Sequence, residues 1–291
     1  MFRIWLYLNF STFFINLFVR KNIKKNKEIV KSLLYKQSKK KFTALFSQCR
    51  VGFFFVLKYI KQTNKKKEII FCAYNLPEMV NIALNLKFKV KFCDIKYETG
   101  TINIEQLKKK ISKKTVAIVL TNMFNSSKES TEIRKIAKKL KITLIEDNAI
   151  YFDNYYKENR KKNYSGEFGD FTLYSFNIMK NISSLYGGAV TSNQKNFIKY
   201  CSAEDIKMNN FYLITLIKQI LIFIILKIMS IKILYKYFFA HIIRYVHKNN
   251  IKFILQLFYP SLKSIKIKFP KYYFSKISNL SSHLTCLQLK D

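Results

Sequence analysis

Residues 115–150 read TVAIVLTNMFNSSKESTEIRKIAKKLKITLIEDNAI, and they contain two short apolar runs separated by a lysine-rich stretch. The runs TVAIVLT and ITLIED have the length of buried strands, whereas STEIRKIAKKL between them has the character of a helix. Two strands joined by a helix indicate a β–α–β unit, in which the strands lie parallel in one sheet. This stretch therefore predicts an α/β fold.

The same alternation continues towards the N-terminus of the chain. KEIIFCAY, PEMVNIALNL, KVKFCDI and IEQLKKKI follow one another between residues 67 and 111. We therefore predict a domain with a mostly parallel sheet over residues 41–204. Asp94 and Asp147 both stand where predicted strands end, and ligands of open α/β sheets bind at the carboxyl ends of the strands.

The N-terminal region, residues 1–40, differs in composition from this domain. Its first twenty residues, MFRIWLYLNFSTFFINLFVR, are apolar with basic ends, and KNIKKNK follows them in place of a small-residue cleavage site. These features predict an apolar and basic arm with an interfacial helix, and they argue against a secretion signal.

Residues 205–270 form a second apolar region, with lysines spread through it. A membrane-spanning helix needs about 20 apolar residues, and one lysine at its centre costs about 3 kcal/mol. Because Lys218 and Lys227 fall within the most apolar part, we expect helices that lie on a membrane surface with their lysines reaching the headgroups. A pair of buried helices is the alternative.

The composition narrows the choice of partners. The chain of 291 residues carries 53 Lys and Arg against 17 Asp and Glu, a net charge of +36. The basic residues are mostly lysine and accompany much Ile, Asn, Phe and Tyr. An A+T-rich genome explains that bias without a polyanion partner. RNA-binding signatures, zinc-ligand spacing and basic heptads are missing, so we expect no nucleic acid and no metal. Five scattered cysteines without a CxxC indicate a reducing cytoplasm.

Three polar residues follow predicted strands and suggest a cofactor. Asp147 closes ITLIED, Ser175 stands near the end of FTLYSF, and Lys180 comes a short loop later. Pyridoxal phosphate needs an amine for its aldehyde and a carboxylate for its ring nitrogen. Its phosphate needs hydroxyls and backbone N–H groups. An acid, a hydroxyl and a lysine on neighbouring strand ends match these needs.

Several blocks of sequence, in order, resemble the DegT/DnrJ/StrS family of pyridoxal-phosphate-dependent sugar aminotransferases, which have the fold-type I architecture. The most specific are LIEDNA, which resembles the family's viEDaA, and GEFGDFTLYSFNIMKNISSLYGGAV, which resembles GslGdaavfSFhptKnlttgeGGav. FSQCRVGFFFVLKYI is similar to the phosphate-binding segment, and FSKISNLSSHLTCLQLKD to a segment near the family's C-terminal region. The resemblance leaves out only the N-terminal arm and the apolar region.

The resemblance implies a role for each candidate residue. Lys180 would bind the cofactor covalently and move protons during catalysis, and Asp147 would pair with the ring nitrogen. Ser175 would bind the phosphate. Cys49 and Arg50 belong to the phosphate segment, and Ala149 follows Asp147 in the cofactor-binding block.

The resemblance also implies an activity. Such enzymes move an amino group, typically from glutamate, onto a nucleotide-linked keto sugar in surface-polysaccharide or aminosugar biosynthesis. A relative that removes a sugar hydroxyl has histidine in place of Lys180, so lysine favours amino transfer. Family members form closed dimers that complete the site. We therefore expect a cytoplasmic homodimer, peripheral to the inner membrane.

The chain departs from the family at several positions. Leu76, Ile150, Leu185, Tyr186 and Phe274 stand where the family has other residues. Family members also continue beyond the equivalent of residue 291 into a small domain. We therefore expect a divergent, C-terminally truncated relative in which residues 271–291 are only the start of the C-terminal region. Two alternatives stay open: a catalytically degenerate, membrane-associated relative that keeps the fold, and a basic membrane or nucleic-acid binder whose site is incidental.

Overall fold

A computed structural model describes residues 6–19, 22–122, 128–150, 155–158, 161–164, 166–210, 213–258 and 269–290. It contains nine strands: β1 (Phe42–Phe46), β2 (Glu68–Cys72), β3 (Lys89–Cys93), β4 (Thr115–Thr121), β5 (Thr143–Asp147), β6 (Tyr155–Glu158), β7 (Lys161–Tyr164), β8 (Phe171–Ser175) and β9 (Gly188–Ser192).

Seven of these strands form one sheet in the order β1-β9-β8-β5-β4-β2-β3, and β6 and β7 pair as a separate antiparallel hairpin. The run from β8 to β3 is parallel throughout, whereas β9 lies antiparallel to both of its neighbours. Strands β2 and β4 are buried at every position, as expected for parallel strands that are covered on both faces. The predicted α/β fold with a mostly parallel sheet is confirmed.

Twelve α-helices lie in the described ranges: α1 (Phe10–Phe18), α2 (Ile23–Ser38), α3 (Cys49–Thr63), α4 (Pro77–Asn85), α5 (Ile104–Lys110), α6 (Lys128–Lys139), α7 (Lys195–Lys207), α8 (Leu213–Ser230), α9 (Lys232–Leu234), α10 (Ala240–Lys248), α11 (Lys252–Phe258) and α12 (Asn279–Gln288). A π-helical turn, Tyr235–Phe239, joins α9 to α10, and a 3-10 turn, Lys271–Phe274, precedes α12.

The helices cover the sheet on both faces. Phe171 and Leu173 of β8 pack with α3, α4 and α7, whereas Tyr174 of the same strand packs with α2 and α12. Helices α5 and α6 cover the second face at the other end of the sheet. Successive strand residues point to opposite faces, so Asp147 and Ser175 both belong to the face covered by α3.

Polar caps explain where several of these helices begin. The Asn22 side chain accepts the Lys25 N–H at the start of α2, and Asn103 does the same for Gln106 at the start of α5. Helix α4 begins at Pro77, whose missing N–H is not needed at that position.

The apolar N-terminal segment and the apolar region that begins at residue 205 meet in one cluster. Phe13 of α1 and Phe223 of α8 are fully buried, with ring centroids 4.7 Å apart. Their cluster also contains Leu280 and Leu284 of α12. Among the described residues, α8 is the one helix that is long and apolar enough to cross a membrane by length and composition.

The predicted division at residues 40, 204 and 270 stays a prediction. Helices α1 and α2 of the predicted arm pack on α12 and on the sheet. Residues 211–212 and 259–268 of the predicted apolar region lie outside the described residues, as does Asp291. All five cysteines are free and buried.

Candidate active site

Asp147 ends β5 at the carboxyl edge of the sheet, where the chain turns sharply. Its backbone carbonyl accepts the Asn122 N–H at 3.0 Å, which ties it to the end of β4. Its Oδ1 accepts the Ala149 N–H at 3.1 Å. A carboxylate that accepts a backbone N–H two residues later is held by its own turn. The local sequence after β5 therefore fixes the direction of this side chain.

The ionisation of Asp147 and that of Lys180 depend on each other. Burial raises the pKa of Asp147, while the Ala149 N–H and the Lys180 ammonium oppose that rise. Burial lowers the pKa of Lys180, while the Asp147 carboxylate and the Cys49 sulfur act to raise it and Arg50 acts to lower it. The fold thus brings together four residues that the sequence predicted for one site.

The loop that carries Lys180 is held by hydrogen bonds from its backbone. The Lys180 N–H donates to the Asn177 carbonyl at 2.9 Å, and the Ser184 N–H returns to the Phe176 carbonyl at 2.9 Å. The Ser183 N–H donates to Oε1 of Gln288 in α12 at 2.9 Å. Within the described ranges, Nζ of Lys180 has no hydrogen-bond partner, so its amine is available to a ligand.

Leu185 lies in this loop with a left-handed backbone conformation, φ +67°. That conformation costs a residue with a side chain about 1–2 kcal/mol, whereas glycine adopts it freely. The side chain of Leu185 is fully buried in the cluster with Phe13 and Phe223. Burial of the leucine side chain offsets the backbone strain.

The start of α3 lies directly against the start of β9. Gly188 pairs with Ser175 of β8, and a Cβ on Gly188 would lie 2.3 Å from the Cys49 backbone nitrogen. Only glycine permits this approach. The Gln48 side chain does not cap the helix. The positive end of a 15-residue helix therefore opens beside Ser175, where an anion is favoured.

Ser47 adds a hydroxyl next to this helix start. Its Oγ is buried and has no hydrogen-bond partner among the described residues. A buried hydroxyl without a partner is costly, and a bound polar group would relieve that cost. The sequence analysis did not select Ser47, although it lies within FSQCRVGFFFVLKYI, the segment that resembles the family's phosphate-binding segment.

Cys49 and Arg50 have different surroundings. Burial and the nearby Asp147 raise the pKa of the Cys49 thiol far above its usual value, so the thiol is neutral. The Arg50 guanidinium forms an ion pair with Glu78 at 3.3 Å, and Glu78 also accepts the Tyr273 hydroxyl at 2.6 Å. The sequence analysis did not predict this ion pair, because Arg50 and Glu78 lie on different helices, 28 residues apart in the chain.

Glu146, which the sequence analysis passed over, supports the site from the opposite face of β5. Its carboxylate accepts the Asn122 amide at 2.8 Å and the N–H groups of Gly166, Phe168 and Gly169 at 2.6, 3.0 and 2.8 Å. A carboxylate with several N–H donors is stable when buried. Glu146 thereby fixes the loop that leads into β8 and hence the position of Ser175.

Comparison with known proteins identifies the family. The model of the DegT/DnrJ/EryC1/StrS aminotransferase family matches residues 25–210, which is more than half of the chain. The chain belongs to this family. The family identified from sequence blocks is therefore confirmed.

Curated relatives match only in part. An uncharacterized protein of Methanocaldococcus jannaschii is 31% identical over 168 residues, covering 58% of this chain and 41% of its own. The UDP-4-amino-4,6-dideoxy-N-acetyl-beta-L-altrosamine transaminase of Campylobacter jejuni is 32% identical over 145 residues, covering 49% and 37%. The chain thus spans well under half the length of these relatives.

Solved structures share the fold. Helicobacter pylori PseC, an aminotransferase involved in the biosynthesis of pseudoaminic acid, superposes with a TM-score of 0.64 at 18% identity, over 96% of this chain and 62% of its own. The E. coli GDP-4-keto-6-deoxy-D-mannose-3-dehydratase with bound hydrated PLP gives 0.53 at 23% identity, over 62% and 45%.

The described residues fit pyridoxal phosphate. A lysine amine without a hydrogen-bond partner, a buried strand-end carboxylate and an uncapped helix start lie together at one sheet edge. These groups match the aldehyde, the ring nitrogen and the phosphate respectively. The partnerless Ser47 hydroxyl supplies a further donor beside the phosphate position.

Proposed function

We propose that the chain is the cofactor-binding part of a pyridoxal-phosphate-dependent aminotransferase that acts on a keto sugar. One observation carries this proposal: Asp147 ends β5, Ser175 ends the neighbouring strand β8, and Lys180 lies in the loop that follows β8, 33 residues after Asp147. The start of α3 lies at the same edge of the sheet. When bound, pyridoxal phosphate supplies an electron sink for the substrate carbon.

Lys180 would provide the amine for covalent attachment and then carry the proton between substrate and cofactor. Burial lowers the pKa of Lys180, which increases the fraction of neutral amine near neutral pH. Only the neutral amine is a nucleophile or a proton acceptor. The absence of a hydrogen bond to its Nζ within the described ranges leaves the amine ready for this task.

Asp147 would hold a proton on the ring nitrogen. Its carboxylate is kept in place by the Ala149 N–H and remains close enough to Lys180 to sense its charge. The N–H groups at the start of α3, together with Ser175 and Ser47, would bind the phosphate. Arg50 could reach a phosphate only by exchanging its ion pair with Glu78.

Substrate and assembly are proposed from the family. The Campylobacter jejuni relative is a transaminase of a UDP-linked amino sugar, which favours a nucleotide-linked keto sugar as acceptor here. Glutamate is the proposed amino donor, and aminosugar or surface-polysaccharide biosynthesis the proposed process. We propose a cytoplasmic homodimer, in which the second copy completes the site.

The test is borohydride reduction of protein incubated with pyridoxal phosphate, followed by peptide mapping. The adduct should map to Lys180 and disappear in Lys180→Ala. The control is Lys207→Ala, which removes an exposed lysine of α7 and should leave the adduct unchanged. An adduct that persists in Lys180→Ala would disprove the assignment.

A catalytically degenerate relative is the second candidate. It is favoured by the Arg50–Glu78 ion pair, which occupies the guanidinium, and by the strained Leu185 in the lysine loop. This candidate predicts a Lys180 adduct without amino transfer from glutamate to any nucleotide-linked keto sugar. Measurable transfer in a panel of such sugars would reject it.

A further inference from the structure

Helix α8 has two apolar faces, and packing among the described residues covers one of them. The inner face buries Phe223 and packs on Phe13 of α1 and on Leu280 and Leu284 of α12. The outer face exposes an aliphatic stripe with helical spacing: Ile214, Ile217, Leu221, Ile225 and Ile228, each between 42% and 75% exposed. Such a contiguous stripe on a soluble surface marks an interaction site.

Helix α1 also has an exposed apolar face. Phe10, Phe14 and Phe18 follow one another at four-residue spacing and are 46–76% exposed, with neighbouring rings 5.8 Å apart. The opposite side of α1 is attached to the body, where Asn16 hydrogen-bonds His283 of α12 at 2.9 Å. Both helices therefore expose an apolar face while their opposite sides pack into one buried cluster.

The charges of the segments that carry these exposed faces indicate which kind of partner they bind. The sequence has no acidic residue between Asp205 and Asp291 and none before Glu28. Lys218, Lys232, Lys236, Arg244 and Lys248 are exposed on α8 and the elements that follow it. Segments that expose apolar and basic side chains and contain no acidic residue are complementary to the acyl region and the anionic headgroups of a lipid surface.

The packing also distinguishes surface binding from membrane insertion. Lys227 lies on the inner side, where its Nζ donates to the Leu6 carbonyl at 3.2 Å. If α8 crossed a bilayer, Phe223 and Lys227 would lose these contacts, and the cluster that includes Ile178 and Leu185 of the lysine loop would open. A helix lying in the interface keeps all of them.

We propose that the outer faces of α1 and α8 bind an anionic membrane surface, with the Lys180 loop packed directly behind them. The ligand is the lipid surface itself and not a second copy of the chain. The proposal is independent of the reaction at the site, because it rests on exposed residues that do not contact Asp147 or Lys180.

Flotation of the full chain with lipid vesicles tests this proposal. The protein should float with phosphatidylcholine vesicles that contain phosphatidylglycerol, float less with pure phosphatidylcholine, and be released by carbonate. The combined variant Ile214→Glu, Leu221→Glu, Ile225→Glu should bind roughly tenfold more weakly or worse, because it places three charges in the apolar stripe.

A matched variant controls for net charge. Leu84→Glu, Phe92→Glu and Leu140→Glu add the same three charges at side chains that are 43–46% exposed on α4, β3 and the end of α6. This variant should float like the unchanged chain. Four outcomes would each overturn the proposal. They are an equal loss of flotation in both variants, no flotation of the unchanged chain, retention of the protein on the vesicles after carbonate, and loss of a dimer in the α8 variant alone. The Lys180 adduct, measured in both variants, reports separately on the site.

Discussion

Asp147 combines two properties that a strand-end carboxylate rarely has together: it is buried, and its direction is set by its own turn. An asparagine at this position can still accept the Ala149 N–H through its Oδ1, so the turn should persist. A neutral amide cannot hold a proton on the ring nitrogen by charge. A substitution of Asp147 by asparagine should therefore separate the binding of the cofactor from its activation.

We expect Asp147→Asn to keep the Lys180 adduct but to lower the rate of amino transfer by roughly 100-fold or more, the range of acid–base contributions. Steady-state transfer from glutamate and borohydride trapping measure the two effects. Asp94→Asn, which changes an exposed strand-end carboxylate of β3, should affect neither. Normal transfer by Asp147→Asn would show that Asp147 is not the ring partner.

Lys40 is a second buried charge, which the proposed reaction does not use. Its ammonium donates to the Gly166 carbonyl, which also accepts the Thr172 hydroxyl at 2.7 Å. Burial lowers the pKa of Lys40 to about 8, although the Glu146 carboxylate acts to raise it. Because the folded pKa lies below that of an unfolded lysine, the unfolded chain binds more protons between these two values. The contribution of Lys40 to the free energy of unfolding therefore rises with pH.

Lys40→Met should reduce the rise of the free energy of unfolding with pH. Between pH 7 and pH 10 the free energy of unfolding of the unchanged chain should gain about 2 kcal/mol relative to the variant. Urea unfolding of both proteins across this range measures the difference. Parallel pH profiles would mean that Lys40 is not desolvated in the folded protein. The Gly166 carbonyl keeps its bond from Thr172 in the variant, so the local loop should survive.

At the scale of the elements, the contact of α3 with β9 leaves no space for a side chain at Gly188. A Cβ at Gly188 would lie within 2.6 Å of backbone atoms of Gln48 and Cys49, which cannot rotate away. At Gly52, one turn into α3, the nearest atoms are instead side-chain atoms of Val190 and Phe46, at 2.7 and 3.0 Å. The two glycines therefore form a natural pair for comparison.

We expect Gly188→Ala to lower the free energy of unfolding by about 2–3 kcal/mol, the upper part of the range for forced overpacking. It should also weaken the binding of pyridoxal phosphate, because α3 must move away from Ser175. Gly52→Ala should cost less, since side chains can shift and alanine favours the helix. Chemical denaturation and absorbance titration give both quantities. If Gly188→Ala binds the cofactor normally, the start of α3 does not hold the phosphate.

At the scale of the whole molecule, the chain should self-associate through a surface other than the outer faces of α1 and α8. Sedimentation of the purified chain should show a closed dimer, because the proposed site needs a second copy. The combined α8 variant should keep the same sedimentation behaviour while it loses lipid binding. A stable monomer that binds the cofactor tightly would contradict the dimer.

Much of this fold could be predicted from the sequence. Short, mainly apolar runs such as TVAIVLT indicated the buried parallel strands, because strands covered on both faces are apolar at nearly every position and rich in β-branched residues. The same short-range pattern placed Asp147 and Ser175 at strand ends and Lys180 in the loop that follows β8. Local propensity and spacing carry this information, so no long-range contact was needed.

Only the tertiary structure decided what surrounds those residues. The ion pair of Arg50 with Glu78, the left-handed Leu185 and the burial of Phe223 against Phe13 each join parts of the chain that are distant in sequence or depend on such a contact. The apolar residues in the sequence of α8 do not show which of its faces is covered, because that depends on where α1 and α12 lie. The sequence by itself therefore determined the family, the sheet and the candidate site residues. Packing between distant segments decided how the site is supported and which surface is left exposed.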